Sequence, residues 1–495
     1  MGVYKNIAAN FTGIIITTIL TFLVVPYYLE WLGSESYGLV GFATLIQNWL
    51  MIISSGFNPV AGRAAARAQE GHEDWKRTYT LIRSIDFSIL SIGFGLVLVL
   101  FLLPNTVFSN WFQADKIDSG DLAIAILLLV VIAILRLASA IGRGVIANLE
   151  MQIWLNINLS CCSFLRFALS LPVVYYYNNM LSLFYWWFFV SALEYISIQY
   201  KIRKSTPMKA SFFSFSFDEL RKHGKFAATL SFTSLVWIAI TQLDKLIFTK
   251  TMSLENYGIF SVAVLLSGGV LLLSQPLTQA YQPKLIKIFA TDGSKGLGQE
   301  VVKVTRLTLI ALLPITVIFS FNAEDVILLW TSNKNVAEVS AVFLPGYTIG
   351  NYFAALLGVL YLVQVAIGNI SLHFKGNIIF AFLLIPSVIY LAFMKNAYYV
   401  SWFWSLANGI MLIFWGDFVL RRILPNLKFK WVVFEVLMPS ILLMTLYYFL
   451  LQDFSVFITD ISRLDLLLNL LMKYFIVLCI CVVLLAIFKK DKYND

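Results

Sequence analysis

Runs of about 20 mostly apolar residues recur along the whole chain, separated by polar connections. An α-helix of that length crosses the hydrocarbon core of a bilayer, which is about 30 Å thick. The runs are continuous and do not alternate apolar with polar residues, which favours helices over a β-barrel. The pattern predicts an all-α integral membrane protein with about 14 transmembrane helices, at residues 7–29, 38–56, 84–103, 121–141, 156–177, 181–200, 226–249, 257–277, 307–329, 339–366, 376–394, 397–419, 431–452 and 467–488.

The composition supports the same class. Hydrophobic residues make up 60% of the 495 residues, charged residues make up 13%, and the mean hydropathy is +0.82. A soluble domain would add a long stretch of ordinary charge density, about 25%, and the sequence has no such stretch. The cysteines lie inside apolar runs without the spacing of metal ligands. We therefore predict no metal, no cofactor and no catalytic residues, and do not expect an enzyme.

The formal net charge of +9 follows the predicted topology. With the amino terminus in the cytoplasm, 27 of the 36 Lys and Arg residues fall in cytoplasmic segments and five in the opposite loops. Cytoplasmic connections of membrane proteins carry such an excess. The sequence therefore predicts that both termini are cytoplasmic, and the charge gives no reason to expect a nucleic-acid partner.

A weak internal repeat links the two halves of the chain. The motif Glu-x-Tyr-Gly follows the first span and recurs after the seventh. A proline, Pro59 or Pro276, lies near the end of the span that follows each copy. Because both copies start on the same side of the membrane, they predict parallel repeats. The motif residues are Glu35, Tyr37 and Gly38 in the first copy and Glu255, Tyr257 and Gly258 in the second.

The repeat predicts the domain organisation. Residues 1–205 and 226–420 would each form a six-helix bundle, joined by a basic cytoplasmic linker at 206–225. Residues 421–495 would add two further transmembrane helices and a cytoplasmic tail. Two bundles that move about a site between the membrane faces are typical of transporters.

Four features near the amino terminus resemble one family of transporters. They are Asn10 in the first span, the exit Pro26-Tyr27-Tyr28-Leu29, the turn Leu32-Gly33-x-Glu35-x-Tyr37-Gly38-Leu39, and Ser55-Gly56-Phe57 leading to Arg63. This combination is similar to the polysaccharide repeat-unit (O-antigen) flippases of the multidrug/oligosaccharidyl-lipid/polysaccharide (MOP) transporter superfamily.

The resemblance implies a function and partners. A member would carry undecaprenyl-pyrophosphate-linked oligosaccharide from the cytoplasmic to the outer leaflet of a bacterial inner membrane by alternating access, for O-antigen, capsule or exopolysaccharide synthesis. Implied partners are membrane lipids, H⁺ or Na⁺, a polysaccharide polymerase and a chain-length regulator. Loop and gating roles are implied for the motif residues Gly33, Glu35, Tyr37, Gly38, Pro59, Arg63, Glu255, Tyr257, Gly258 and Pro276.

Cations inside spans are candidates for the diphosphate of such a substrate, because an ionisable residue in the bilayer is costly. Arg166 lies near the middle of span five and is the principal candidate, with Cys162, Ser163 and Ser170 at helical spacings on its face. A structural ion pair is the alternative for Arg166. Arg136, which could instead extend to the interface, and Lys245 are further candidates for diphosphate contacts.

Polar side chains of the first span and two acids complete the candidate site. Asn10, Thr17 and Thr21 share one helix face and could line a sugar cavity or serve helix packing. Glu194 and Asp244 are candidates for ion coupling, and Asp244 and its neighbour Lys245 are expected to face different partners.

Other polar and aromatic residues near span ends are predicted to face the membrane interface. Lys473 is expected to reach the outer headgroups. Most of the tryptophans near span ends are expected to form interfacial belts, and these are Trp31, Trp111, Trp154, Trp186, Trp187, Trp330 and Trp431.

Two rival functions remain open at this point. A cation-coupled multidrug exporter of the same superfamily would favour acids over arginine in the cavity. An integral-membrane polysaccharide polymerase or glycosyltransferase would need a substantial external loop, and none of the predicted external loops exceeds about 17 residues. The sequence also has no Gly-rich phosphate loop for ATP.

Overall fold

The computed structural model describes residues 2–206, 214–394, 396–451 and 463–487, with side chains from Gly13 onwards except that of Lys428. These residues form 15 helices. Their bounds are α1 Gly2–Gln69, α2 Trp75–Phe101, α3 Asn105–Phe112, α4 Ser119–Asn148, α5 Gln152–Tyr177, α6 Met180–Ser205, α7 Phe217–Thr251, α8 Leu254–Phe321, α9 Ala323–Thr331, α10 Lys334–Ala341, α11 Leu344–Ala366, α12 Ser371–Phe393, α13 Ala397–Ile423, α14 Trp431–Leu450 and α15 Arg463–Ile487.

Twelve helices of the described chain are long and apolar enough to cross a membrane. Two of them, α1 and α8, each run for 68 residues, about 100 Å, or roughly three times the thickness of the hydrocarbon core. Glycine interrupts both helices, with φ of 79° at Gly33 and 63° at Gly293. Only glycine adopts such angles readily, since it lacks a Cβ atom. Both interruptions fall in connections that the sequence predicts between spans.

Helix starts agree with local capping chemistry. The Asp74 and Asp118 side chains accept backbone N–H bonds at the starts of α2 and α4, and Asn179 does the same for α6. Ser216 caps α7 by accepting the N–H of Glu219, in the Ser-x-x-Glu spacing of a capping box. The short helices α3, α9 and α10, of eight or nine residues, are not distinguished by the hydrophobic pattern.

Contacts divide the chain into two compact units, Met1–Gly258 and Ile259–Asp495. In the first unit, α1 packs along α4, α5 and α7, and α4 packs on α6. Glycines bring α1 and α4 together, because a Cβ at Gly62 would meet the Asn148 side chain and one at Gly144 would meet Asn58. The predicted six-helix division of the chain remains a prediction.

In the second unit, α11 packs on α13, and α14 packs on α15. Two interfacial predictions are wrong here. Trp431 is fully buried and donates its indole N–H to Thr305 at 3.0 Å. Lys473 is only 3% exposed, because it shares one face of α15 with the buried residues Leu470 and Val477, three and four positions away.

Candidate functional site

A carboxylate bound by two arginines joins three helices of the first unit. Glu194 of α6 is 2% exposed. Its Oε2 accepts a hydrogen bond from Nη2 of Arg166 on α5 at 2.8 Å, and its Oε1 accepts one from Nη1 of Arg143 on α4. Arg166 Nη2 also donates to the Ser191 hydroxyl at 3.3 Å. The sequence analysis proposes Arg166 for the diphosphate and Glu194 for ion coupling, as separate candidates. In the structure the two residues form an ion pair.

A third arginine extends this group. Arg136 lies two turns before Arg143 on α4 and donates from Nη1 to the Gln47 side chain of α1. It is close enough to Arg143, Arg166 and Glu194 for their charges to interact. We refer to Arg136, Arg143, Arg166 and Glu194 as the arginine cluster. When all four side chains are ionised, the cluster has an excess of two positive charges.

The members of the cluster differ in accessibility. The side chains of Arg166 and Glu194 are 5% and 2% exposed, whereas that of Arg143 is 21% exposed. Arg166 Nε is buried and finds no acceptor among the described residues. No group of three or more His, Cys, Asp or Glu side chains in the described residues is arranged to hold a metal ion. The cluster can therefore bind an anion through its positive charge and its spare N–H donors.

A local change of helix type positions Arg166. Residues Phe164–Ala168 of α5 form a π-helical segment with Arg166 at its centre. Such segments frequently occur at functional sites. Two indole N–H groups of α6 stabilise the altered backbone, since Trp186 donates to the carbonyl of Leu165 at 2.7 Å and Trp187 to that of Arg166 at 3.1 Å. Trp187, which lies near a predicted span end, is buried, and both tryptophans hold the backbone at Arg166 in place.

The predicted polar face of span five contacts two helices. Ser163 bonds to Thr17 at 3.0 Å and Ser170 to Tyr28 at 2.5 Å, so both serines contact α1. Arg166 bonds to α6. The π-helical turn between the two serines holds more residues than the α-helical turn on which the spacing argument rests, and the shared face stays a prediction.

Arg143 is the functional candidate that the sequence analysis missed. The predicted span ends at residue 141, which places Arg143 in a cytoplasmic loop, but α4 continues to Asn148. The signal was present, since Arg136 and Arg143 are two helical turns apart and therefore lie on one helix face.

The remaining predicted site residues lie in several places. Thr17 contacts α5 through its bond to Ser163, and the Thr21 hydroxyl donates to the Thr17 carbonyl at 2.8 Å. Asn10 precedes the first described side chain. Asp244 and Lys245 bond to each other at 3.0 Å, and Lys245 Nζ also donates to the Thr241 carbonyl at 2.8 Å. Their transport roles stay predictions.

The repeated motif residues form a second cluster, which we call the turn cluster. The Glu35 carboxylate is 5% exposed and accepts the backbone N–H groups of Asp115, Lys116 and Ile117 at 2.9, 3.0 and 3.3 Å. Lys116 Nζ donates to Glu255 at 2.7 Å. The hydrogen bond with Glu255 raises the pKa of Lys116 above its usual value and keeps the ammonium protonated.

Each motif copy contains a glycine, Gly38 or Gly258, that packs against the backbone just before the other copy. A Cβ at Gly38 would meet the carbonyl oxygen of Leu254, and one at Gly258 would meet that of Ser34. Tyr37 and Tyr257 are both buried. Pro59, Arg63 and Pro276 are exposed and lie outside this cluster.

Glu35→Ala is expected to destabilise the protein by about 2 kcal/mol, because three backbone donors lose one buried acceptor. Glu255→Ala is the matched control: its partner Lys116 has a side chain that is 68% exposed, and we expect no measurable change. Thermal and denaturant unfolding of the purified variants in detergent checks both results. Equal losses from the two substitutions would refute the assignment of Glu35 as the main support of this loop.

Comparisons with known proteins agree with this architecture. The family model described as "Polysaccharide biosynthesis protein" matches residues 3–289. A Shigella flexneri protein with the name "Putative O-antigen transporter" is 21% identical over 422 residues, which cover 84% of this chain and 97% of that protein.

Solved structures establish the fold. The lipid II flippase MurJ in an inward closed conformation superposes with a TM-score of 0.73 at 16% identity, covering 98% of each chain. An inward-facing multidrug resistance MATE family transporter of the MOP superfamily gives a TM-score of 0.65 at 12% identity, covering 82% of this chain and 94% of that one. The resemblance drawn from the motifs is thus confirmed, and the chain belongs to the polysaccharide biosynthesis protein family and has the fold of the MOP transporters.

Proposed function

We propose that this protein is a flippase that moves undecaprenyl-pyrophosphate-linked oligosaccharide repeat units from the cytoplasmic to the outer leaflet of a bacterial inner membrane. The glycan would serve O-antigen, capsule or exopolysaccharide synthesis, upstream of a polysaccharide polymerase and a chain-length regulator. The observation that carries the proposal is the arginine cluster around the buried pair of Arg166 and Glu194, in a chain that belongs to the polysaccharide biosynthesis protein family.

The charge of the cluster suits the substrate. A diphosphate linked at both ends to organic groups carries two negative charges, which equal the excess of two positive charges on the cluster. Guanidinium groups bind phosphate oxygens through parallel N–H donors, more specifically than lysine does. We assign Arg166, Arg143 and Arg136 to the diphosphate, with Arg143 as the more accessible member. Thr17 and Thr21 would lie beside the sugar.

We propose fourteen spans, twelve in the two bundles that alternating access requires and two appended to them. This number follows if α1 and α8, each interrupted at a glycine, cross the membrane twice. Residues 1–205 and 226–420 would then form the two six-helix bundles around the linker 206–225, with residues 421–495 appended and both termini in the cytoplasm.

The membrane potential favours this direction of transport. Each negative charge moved outward across an inside-negative membrane gains about 2.3 kcal/mol per 100 mV. Two uncompensated phosphate charges therefore supply a driving force without an ion. Coupling to H⁺ or Na⁺ through Asp244 or Glu194 would add to this force but is not required by it.

A cation-coupled multidrug exporter shares the fold. Three arginines around one buried carboxylate argue against it, because their excess positive charge repels cationic drugs.

The test is the leaflet distribution of the lipid-linked repeat unit in cells that lack this protein and have no redundant flippase. We expect complete units to accumulate on the cytoplasmic side and the wild type to clear them. Arg166→Ala and Arg143→Ala should each clear them at less than about a tenth of the wild-type rate per molecule, if each loses a charge-assisted hydrogen bond worth about 1.5–3 kcal/mol.

Arg421→Ala is the matched control, because it also removes one arginine but from an exposed pair with Asp417. The amount of each variant in the membrane is measured, so that misfolding is not read as slow transport. Units that reach the outer leaflet without the protein would refute the flippase proposal. Normal clearance by both arginine variants would refute the assigned site only.

A further inference from the structure

We propose that Glu194 occupies the diphosphate site of the empty transporter and yields it when substrate binds. The inference rests on the flippase function proposed above and deepens it, because it assigns Glu194 the role of an internal counter-ion. It differs from an ion-coupling role, since the carboxylate changes partners without changing its protonation.

The geometry of the carboxylate imitates a phosphate group. Each of its two oxygens accepts from a different guanidinium, Oε1 from Arg143 and Oε2 from Arg166. Two guanidinium groups that converge on neighbouring anionic oxygens are the arrangement in which arginines hold phosphate. The same N–H donors cannot serve Glu194 and a phosphate at once.

The different burial of Arg143 and Arg166 determines the order in which a diphosphate reaches them. Arg143 is partly exposed, whereas Arg166 lies deeper with Glu194 across its donors. An incoming diphosphate therefore meets Arg143 first, and it reaches Arg166 Nη2 only when Glu194 moves away. The buried Nε of Arg166 has no acceptor among the described residues, so one more donor is ready for a second phosphate oxygen.

The net charge of the arginine cluster permits a diphosphate to replace Glu194 as the partner of the arginines. With three arginines, Glu194 and a doubly charged diphosphate, the occupied cluster is neutral. Glu194 therefore has to shift but not to lose its charge, and the nearby Arg136 interacts with it electrostatically. After release, the carboxylate neutralises Arg143 and Arg166 again. Without it, three uncompensated arginines would retain the diphosphate too strongly for rapid turnover.

The experiment measures binding by the full-length protein in lipid nanodiscs. The probes are geranylgeranyl methyl diphosphate and geranylgeranyl methyl phosphate, which carry no sugar. The first is linked at both ends, like the substrate diphosphate, and carries two negative charges, whereas the second carries one. We expect Glu194→Gln to bind the diphosphate roughly tenfold more tightly than the wild type, equivalent to about 1.4 kcal/mol, and to flip repeat units more slowly in cells. Glu194→Asp should also bind more tightly, by a smaller factor, because the shorter side chain cannot bridge both arginines.

Asp86→Asn is the matched control, since Asp86 is also a buried carboxylate paired with an arginine, Arg83, in the same unit. Its diphosphate affinity should equal that of the wild type. Unchanged or weaker binding by both folded Glu194 variants would overturn the counter-ion role, while wild-type preference for the diphosphate would leave the proposed function intact. Equal wild-type affinity for both probes would instead remove the diphosphate site itself, and the counter-ion role with it.

Discussion

Gly258→Ala and Gly38→Ala are expected to impair folding and flipping strongly, although each adds only one methyl group. The new Cβ at Gly258 meets the carbonyl oxygen of Ser34, and that at Gly38 meets the carbonyl oxygen of Leu254. A backbone oxygen cannot move aside as a flexible side chain can. We expect each substitution to cost about 2–3 kcal/mol, the upper part of the range for overpacking.

Gly95→Ala in α2 is the control for these variants, because nothing lies within 4 Å of the Cβ it would add. Alanine has a higher helix propensity than glycine, by about 1 kcal/mol. Gly95→Ala is therefore expected to stabilise the protein slightly, whereas Gly258→Ala and Gly38→Ala should destabilise it. Denaturant unfolding and the flipping rate per molecule measure the effects. A stabilising effect of Gly258→Ala would contradict the close packing.

The turn cluster illustrates how much of the fold the sequence predicts. The recurrence of Glu-x-Tyr-Gly in the second half of the chain predicts that Gly38 and Gly258 occupy equivalent places. The structure adds that these places touch, and the contacts are reciprocal, since Ser34 and Leu254 also hold equivalent positions in the two copies. That contact could not be predicted, because periodicity locates helices but not their neighbours.

The helices themselves are well predicted, because hydrophobic runs long enough to span a bilayer have few alternatives. Helix ends are predicted less well. The span that contains Arg136 continues to Asn148, beyond its predicted end, and thereby brings Arg143 to the candidate site. Gly142 and Gly144 flank Arg143, so the hydrophobic pattern ends the predicted span before this arginine, although its spacing from Arg136 places both on one helix face.

The orientation of Arg166 could not be predicted for a different reason. A spacing argument assumes about 3.6 residues per turn, and the π segment Phe164–Ala168 departs from that value at this arginine. Bonds from Trp186 and Trp187 in another helix stabilise the departure. Helix type at this point is therefore decided by tertiary contacts, which a local pattern does not contain.

Loss of one partner from the buried pair between Arg306 and Glu435 is expected to destabilise the second unit by roughly 3–5 kcal/mol. Glu435 is 1% exposed and lies in the π segment Trp431–Leu437 of α14. Both its oxygens accept from Arg306 of α8, Oε2 from Nε at 2.7 Å and Oε1 from Nη2 at 2.9 Å. Glu435→Ala would remove both of these acceptors from the arginine.

The double variant Arg306→Met/Glu435→Leu separates the cost of a broken pair from the value of an intact one. Replacing both partners by apolar side chains of similar size removes the buried charges together, so most of the lost stability should return. Denaturant unfolding of both single variants and the double variant gives the coupling between the two sites. A double variant as unstable as Glu435→Ala would contradict this account. This pair lies in a different unit from the arginine cluster. The folded double variant should therefore retain its affinity for geranylgeranyl methyl diphosphate, which distinguishes a structural ion pair from one that belongs to the substrate site.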